Sequence, residues 1–184
     1  MKYVVAEKYL CFYALLEMIL CDVGITKFNQ YDLANEFGVV LPTNCSIPTV
    51  CENVSFSDDP FMQGAHIDKD EINSFFKKSN IHLKISYKNE SIWSNHDYDK
   101  YVYSPIRDKH YYIYAFSYGC LYKESRNYRV GHVALLMDCK ENSLLEIYDP
   151  GPRNSGKKIV SRDNMHDAMD EIYGGVYIIE PIER

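Results

Sequence analysis

Three residues that lie far apart in the sequence have the types that nucleophilic catalysis at an acyl carbon requires. Cys11 begins an apolar stretch near the N-terminus, His132 follows a glycine, and Asp149 precedes a proline. A cysteine thiolate can attack an acyl carbon while an imidazole exchanges the proton and a carboxylate holds the imidazole in the useful tautomer. The sequence therefore predicts a triad of Cys11, His132 and Asp149.

The histidine and the aspartate stand at the ends of two apolar runs that a short turn separates. The run GHVALLMDC contains His132 near its start, the run SLLEIYD ends at Asp149, and the residues KEN lie between the runs. Both runs have the composition of strands, and an antiparallel hairpin brings the start of its first strand near the end of its second. We therefore expect the two side chains to work as a pair.

The cysteine stands in the first turn of a predicted buried helix. Residues 10–23, LCFYALLEMILCDV, contain no Gly or Pro, are apolar on nearly every face, and are followed by Gly24, which suits a C-cap. Unpaired N–H groups and the macrodipole at a helix N-terminus favour a thiolate, as a neighbouring imidazolium would. Cys11 is the predicted nucleophile because of this position, and no GxSxG motif points to a serine instead.

Each of the three residues also has an ordinary structural explanation. A cysteine in an apolar helix usually packs, a histidine at a strand start usually makes structural hydrogen bonds, and an aspartate before Pro-Gly commonly forms a turn. Their joint placement, at a helix N-terminus, a strand start and the end of the adjacent strand, favours the catalytic interpretation.

The remaining pattern predicts an α+β fold with N-terminal helices packed on a mostly antiparallel sheet. We expect one domain over residues 1–184, with a helical part at about 1–80 and a sheet part at about 81–184. Residues 39–66 are rich in Pro, Ser, Asn and Asp and predict a long loop. Further predicted helices are FNQYDLANEFGV, EINSFFKKSN and DNMHDAMDEIYG. Further predicted strands are IHLKISY, HYYIYAFSYG and GVYIIEP. Residues 88–109 look irregular, and PGPRNSGKK is a predicted polar loop.

The composition excludes several classes of protein. The 184 residues are 46% hydrophobic and 25% charged, as in ordinary globular proteins, and the net charge of −6 argues against a nucleic-acid partner. No apolar stretch reaches the roughly 18 residues of a membrane span, and Glu7, Lys8 and Glu17 interrupt the signal-like N-terminus. No metal-binding spacing of His or Cys occurs. We expect no cofactor, no metal, no membrane span and a cytoplasmic location.

The ordered motifs resemble papain-fold cysteine peptidases, especially the compact bacterial type that cuts leader peptides from bacteriocins at double-glycine sites. In that family a cysteine opens the first long helix, as in YLCFYALLEMIL, a Gly-His-hydrophobic motif follows, as in GHVALLMD, and a strand ends at Asp-Pro, as in LEIYDPGP. The resemblance spans about residues 5–152. It implies a peptide or protein substrate, with Cys11 as nucleophile, His132 as general base and Asp149 as the orienting residue.

One position departs from the family pattern. The family usually has an oxyanion-binding Gln six residues before the nucleophile, where this chain has Val5. The nearby side chains Glu7, Lys8 and Tyr9 are the candidate replacements, although an ionised carboxylate cannot donate a hydrogen bond. Lys8, Tyr9 or a backbone N–H near Cys11 must then stabilise the oxyanion, since one missing donor costs on the order of 10²–10³ in rate.

Three functions stay open from the sequence. The first is a cysteine hydrolase that cuts a peptide or other amide bond. The second is an acyltransferase, in which the same thioester passes its acyl group from an acyl donor to an amine instead of water. The third is a catalytically inactive papain-fold binding module, which the missing Gln favours. The oligomeric state does not follow from the sequence.

Overall fold

The computed structural model describes residues 1–45, 51–59, 62–89, 97, 99–103, 105, 109–124 and 130–182. These residues belong to two compact units, Met1–Asp68 with Pro150–Gly156, and Lys69–Asp149 with Lys157–Arg184. Helices combine with a mostly antiparallel sheet, so the predicted α+β class is confirmed. The single domain over residues 1–184 stays a prediction.

The first unit starts with two helices whose ends follow from local sequence. Helix α1, Cys11–Asp22, is buried along most of its length and is followed by Gly24 at φ +86°, a conformation that favours glycine. Helix α2, Gln30–Phe37, starts at a capping box. The Asn29 side chain accepts the Asp32 N–H at 3.1 Å, and the Asp32 carboxylate accepts the Asn29 N–H at 2.9 Å.

A small three-stranded sheet completes the first unit, so the prediction of a long loop over residues 39–66 was wrong. Its strands are β1 (Val39–Leu41), β2 (Val54–Phe56) and β3 (Gly64–Ala65), in the order β2-β1-β3. Strand β1 pairs parallel with β2 and antiparallel with β3. Strands of two or three residues are too short to show an alternating pattern, which is why polar composition dominated the prediction.

The second unit is built on a six-stranded sheet with the order β4-β9-β5-β6-β7-β8. Every pairing whose register is defined in it is antiparallel. Its elements in chain order are α3 (Lys69–Lys78), β4 (Leu83–Asn89), a π-helical turn (Asp99–Tyr103), β5 (Tyr111–Ser117), α4 (Tyr118–Tyr122), β6 (Gly131–Lys140), β7 (Leu144–Asp149), β8 (Gly156–Ser161), α5 (Arg162–Asp170) and β9 (Gly175–Pro181).

One face of this sheet contributes to an apolar core that α4, α5 and the π-helical turn also enter. On this face Tyr114 pairs with Ala134, and Phe116 pairs with His132. His132 therefore lies on the covered face, at the end of β6 that adjoins α4. The core consists of Tyr101, Val102, Tyr112, Tyr114, Phe116, Leu121, Ala134, Leu136, Leu145, Ile147, Met165, Ala168, Met169, Val176 and Ile178.

Two more predictions about the second unit need correction. The predicted strand HYYIYAFSYG ends at Ser117, because the Ser117 hydroxyl accepts the Cys120 N–H and starts helix α4. The predicted loop PGPRNSGKK contains the start of β8, which begins at Gly156. That strand was missed because its residues are partly or fully exposed and give no strong apolar alternation. Within residues 88–109, the described part includes the π-helical turn.

Replacing Gly174 with Ala should destabilise the second unit, because a Cβ at that position would lie 2.1 Å from the Ala115 carbonyl oxygen. The backbone must move to relieve the overlap, so we expect a loss of at least about 3 kcal/mol in the free energy of unfolding. Gly131→Ala is the control, since its Cβ would meet only Ile172 Cδ1 at 3.9 Å. Urea denaturation measures both variants; equal midpoints would contradict the packing argument.

Candidate active site

Cys11 is the first residue of α1 and is partly exposed. The preceding residue, Leu10, has a side chain that cannot accept a hydrogen bond, and no side-chain cap is formed at this end of the helix. The Leu10 N–H donates to the Glu7 carbonyl at 3.0 Å, and Tyr9 adopts φ +73°. The chain therefore turns sharply into the helix, and the helix end that begins at Cys11 favours negative charge.

Hydrogen bonds from side chain and backbone hold the segment that leads to Cys11. The buried Gln30 side chain accepts the Glu7 N–H at 2.8 Å and donates to the Val5 carbonyl at 3.2 Å. The Ala6 N–H donates to the Pro150 carbonyl at 2.7 Å. The backbone on both sides of Ala6 is thus fixed, and the start of α1 has a defined approach.

The three side chains considered as oxyanion donors lie in this segment. Glu7 is hydrogen-bonded to the Tyr31 side chain, whose pKa is raised by burial and by the nearby Glu7 carboxylate. The Lys8 ammonium lies 4.9 Å from the centre of the Tyr9 ring, within cation–π range. Val5, at the position where the family has Gln, is 53% exposed.

His132 and Asp149 form the pair that the sequence predicts. The His132 Nε2 atom lies 2.7 Å from Asp149 Oδ1. Asp149 is completely buried, and the His132 side chain is only 9% exposed. An ionised carboxylate accepts but cannot donate, so this bond places a proton on Nε2 of the imidazole. The hairpin of β6 and β7 brings the two residues together, as expected from their positions at its open end.

Tyr122 is a third member of this cluster that the sequence did not indicate. Its hydroxyl donates to Asp149 Oδ2 at 2.5 Å. Burial, and then the neighbouring Asp149 carboxylate, raise the pKa of Tyr122 far above its ordinary value, so the hydroxyl keeps its proton. Each carboxylate oxygen of Asp149 therefore accepts from a different side chain.

Aromatic rings surround the imidazole of His132. The Phe116 ring lies 5.6 Å away at 89°, and the Tyr118 ring lies 5.2 Å away at 88°, measured between ring centres. Phe116 is the cross-strand neighbour of His132, whereas Tyr118 comes from α4. These nearly perpendicular contacts restrict rotation of the imidazole.

The short helix α4 places its two tyrosines over this cluster. Ser117 caps it, and the Tyr118 N–H donates to the Val130 carbonyl at 3.0 Å, which fixes the helix to the segment before β6. Tyr118 and Tyr122 are four residues apart, so they share one helix face, and their ring centres are 4.7 Å apart. A serine followed by tyrosines spaced four residues apart was a sequence signal for a capped helical turn, but not for a contact with Asp149.

The structure brings together His132 and Asp149 within the second unit. Cys11, Glu7, Lys8 and Tyr9 belong to the first unit. Among the described residues, no group of His, Cys, Asp and Glu has the arrangement of a metal site. In the same described ranges, no helix is both long enough and apolar enough to span a membrane.

Comparison with known proteins identifies the fold but gives no family by sequence. No protein-family description matches the chain, and no curated protein matches it significantly. The fold is similar to a crystal structure from Bacillus anthracis that is described as a C39-like peptidase, itself an inferred assignment. The match has a TM-score of 0.57 and 15% sequence identity, and it covers 100% of this chain and 94% of that chain. This fold likeness confirms the predicted resemblance.

Cys51 in the first unit should alkylate slowly below alkaline pH. Burial, and then the negative charge of Glu7, raise the pKa of the Cys51 thiol. Because only the thiolate reacts, Glu7→Gln should move the alkylation profile of Cys51 to lower pH. Burial should still keep that profile at higher pH than the profile of an ordinary thiol. Mass spectrometry of iodoacetamide-treated protein follows each cysteine separately. Glu36→Gln, an exposed change on α2, is the control, and equal profiles in both variants would contradict the assignment.

Proposed function

We propose that the chain is a cysteine peptidase-like hydrolase that cuts a peptide or amide bond through Cys11, His132 and Asp149. The observation that carries this proposal is the 2.7 Å bond between His132 Nε2 and the wholly buried Asp149. A buried carboxylate that orients a nearly buried imidazole is the arrangement that acyl-transfer chemistry uses. The fold likeness to a C39-like peptidase supports the same assignment.

The bond at Nε2 assigns the two ring nitrogens of His132 to different tasks. Because Nε2 donates to Asp149, Nδ1 is the nitrogen that exchanges protons during the reaction. The Cys11 thiol gives its proton to Nδ1, and the resulting thiolate attacks the acyl carbon to form a tetrahedral oxyanion. The Asp149 carboxylate stabilises the imidazolium that this transfer creates.

Two half-reactions then complete the cycle. When the tetrahedral intermediate collapses, the carbon–nitrogen bond breaks and Nδ1–H of His132 protonates the departing amine, which leaves a thioester on Cys11. Neutral His132 next removes a proton from water, and the hydroxide formed attacks the thioester carbon. Breaking the carbon–sulfur bond releases the acid, and the thiolate on Cys11 regains the proton from His132.

The position of Cys11 supports its role as nucleophile. It begins α1, where the helix end stabilises a thiolate, and it is partly exposed to reagents. Within the first unit, the Ala6 N–H donates to the Pro150 carbonyl. Ala6 lies in the short segment that leads into Cys11.

The oxyanion donor is the least conventional part of the proposed site. We propose that Lys8, Tyr9 or the backbone N–H of Cys11 replaces the family's Gln side chain, and Glu7 qualifies only in its protonated form. The exposed Val5 at the family's Gln position favours a second candidate function, a catalytically inactive binding module. The rate at which Cys11 is alkylated discriminates between these two functions.

Cys11 should react rapidly with iodoacetamide at neutral pH, because in the proposed site the imidazolium of His132 supplies a charge that compensates the thiolate. His132→Ala should remove this advantage and slow the reaction about tenfold or more at neutral pH. His110→Ala is the matched control, since His110 also bonds a carboxylate, Glu180, at 2.6 Å within the second unit. Site-resolved mass spectrometry measures each rate.

If wild type and His132→Ala give the same Cys11 profile, the thiolate–imidazolium pair does not exist and the binding module is the better function. If Cys11 reacts slowly in every protein, the same conclusion holds. Loss of reactivity in His110→Ala as well would mean that the histidine changes act through folding, which circular dichroism detects independently.

Peptides that contain a double-glycine site should yield a carboxylic acid product with the wild-type protein and no product with Cys11→Ala. A peptidase gives the same acid product when a primary amine is added, because water resolves the thioester. An acyltransferase gives the amide instead, which differs in mass. If neither product forms and Cys11 carries no covalent adduct, both enzymatic functions are contradicted for this substrate class.

A further inference from the structure

The Asp149 carboxylate is bound at both of its oxygens. Oδ1 accepts from His132 Nε2 at 2.7 Å, and Oδ2 accepts from the Tyr122 hydroxyl at 2.5 Å. Asp149 has no exposed surface. A buried carboxylate requires such donors, and the geometry of the two bonds fixes the rotation of the carboxylate about its terminal bond.

We infer that Tyr122 is a positioning residue for the reaction: its hydroxyl holds Asp149 so that the other oxygen faces His132 Nε2. This inference rests on the proposed function for its catalytic meaning. Tyr122 acts through Asp149 and His132, and it does not contact the substrate carbon or exchange a proton.

The state of the Tyr122 hydroxyl suits a fixed donor. Its pKa is raised far above the ordinary value, first by burial and then by the charge of Asp149. A raised pKa keeps the hydroxyl protonated near neutral pH. A neutral donor stabilises the carboxylate without adding a charge that would compete with the imidazolium of His132.

The Tyr122 ring is itself held on two sides. Its centre lies 6.3 Å from that of Phe116 at 76° and 4.7 Å from that of Tyr118 at 63°. These two rings also contact His132. The same aromatic group thus supports the imidazole and the tyrosine that orients its carboxylate, so both ends of the hydrogen-bond chain have defined positions.

This arrangement determines which nitrogen of neutral His132 carries the proton. While Oδ1 faces Nε2, the Nε2–H tautomer is favoured, and Nδ1 is the acceptor that the reaction needs. Without the Tyr122 hydroxyl the carboxylate can rotate, and Oδ2 loses its donor. The preference of His132 for the Nε2–H tautomer should then weaken.

Nitrogen-15 NMR of His132 tests this inference without a substrate and without Cys11. The wild-type protein should give the Nε2–H tautomer with a slowly exchanging, low-field proton. Tyr122→Phe should lower the tautomer ratio about tenfold, a factor typical of losing a hydrogen bond to an ionised group, and the Nε2 proton should exchange faster. Tyr114→Phe is the matched control, because its buried hydroxyl donates to the Tyr101 carbonyl at 3.0 Å instead.

An unchanged tautomer ratio in Tyr122→Phe, with a clear change in Asp149→Asn, would overturn the inference. Should Tyr122→Phe fail to fold, 3-fluorotyrosine at position 122 keeps the ring and makes the hydroxyl a stronger donor. It should move the His132 Nε2 proton resonance, whereas the same replacement at position 114 should not. No movement in either protein would also overturn the inference. If the proposed function fails while the tautomer changes as expected, the cluster orients His132 for another purpose.

Discussion

The complete burial of the Asp149 carboxylate is the constraint on which the arrangement of the second unit depends. Removing an ionised group from water is costly unless several donors replace the lost hydration. His132 and Tyr122 are those donors, at 2.7 and 2.5 Å. One donor comes from the neighbouring strand and the other from a short helix, so strand register and helix position must both be correct before the charge is accommodated.

The register of the sheet explains how a small set of residues meets this constraint. Phe116 pairs with His132, which places an aromatic ring beside the imidazole on the covered face. Farther along β6, its register with β7 shifts at Leu136–Asp138. Such a bulge changes local twist. The irregularity lies away from His132, so the regular pairing of β5 and β6 continues through the histidine.

The sequence predicted the parts of the proposed site that depend on local patterns. The hairpin that joins His132 and Asp149 has apolar strands on both sides of a polar turn, and helix α1 has a long run without breakers. Tyr122 was missed because helix α4 has only five residues and follows a strand of the same aromatic composition. Tyr122 matters because it contacts Asp149, a residue distant in sequence, and a local sequence pattern does not encode such a contact.

The path of the chain around Pro150 has a consequence for modularity. Residues Pro150–Gly156 belong to the first unit, although in sequence they follow strand β7 of the second unit and run into the first residue of β8. The Ala6–Pro150 hydrogen bond of 2.7 Å is therefore formed within the first unit by segments that are distant in sequence. Neither unit is encoded by one continuous segment of the gene. Recombination at a single crossover therefore cannot exchange either unit intact.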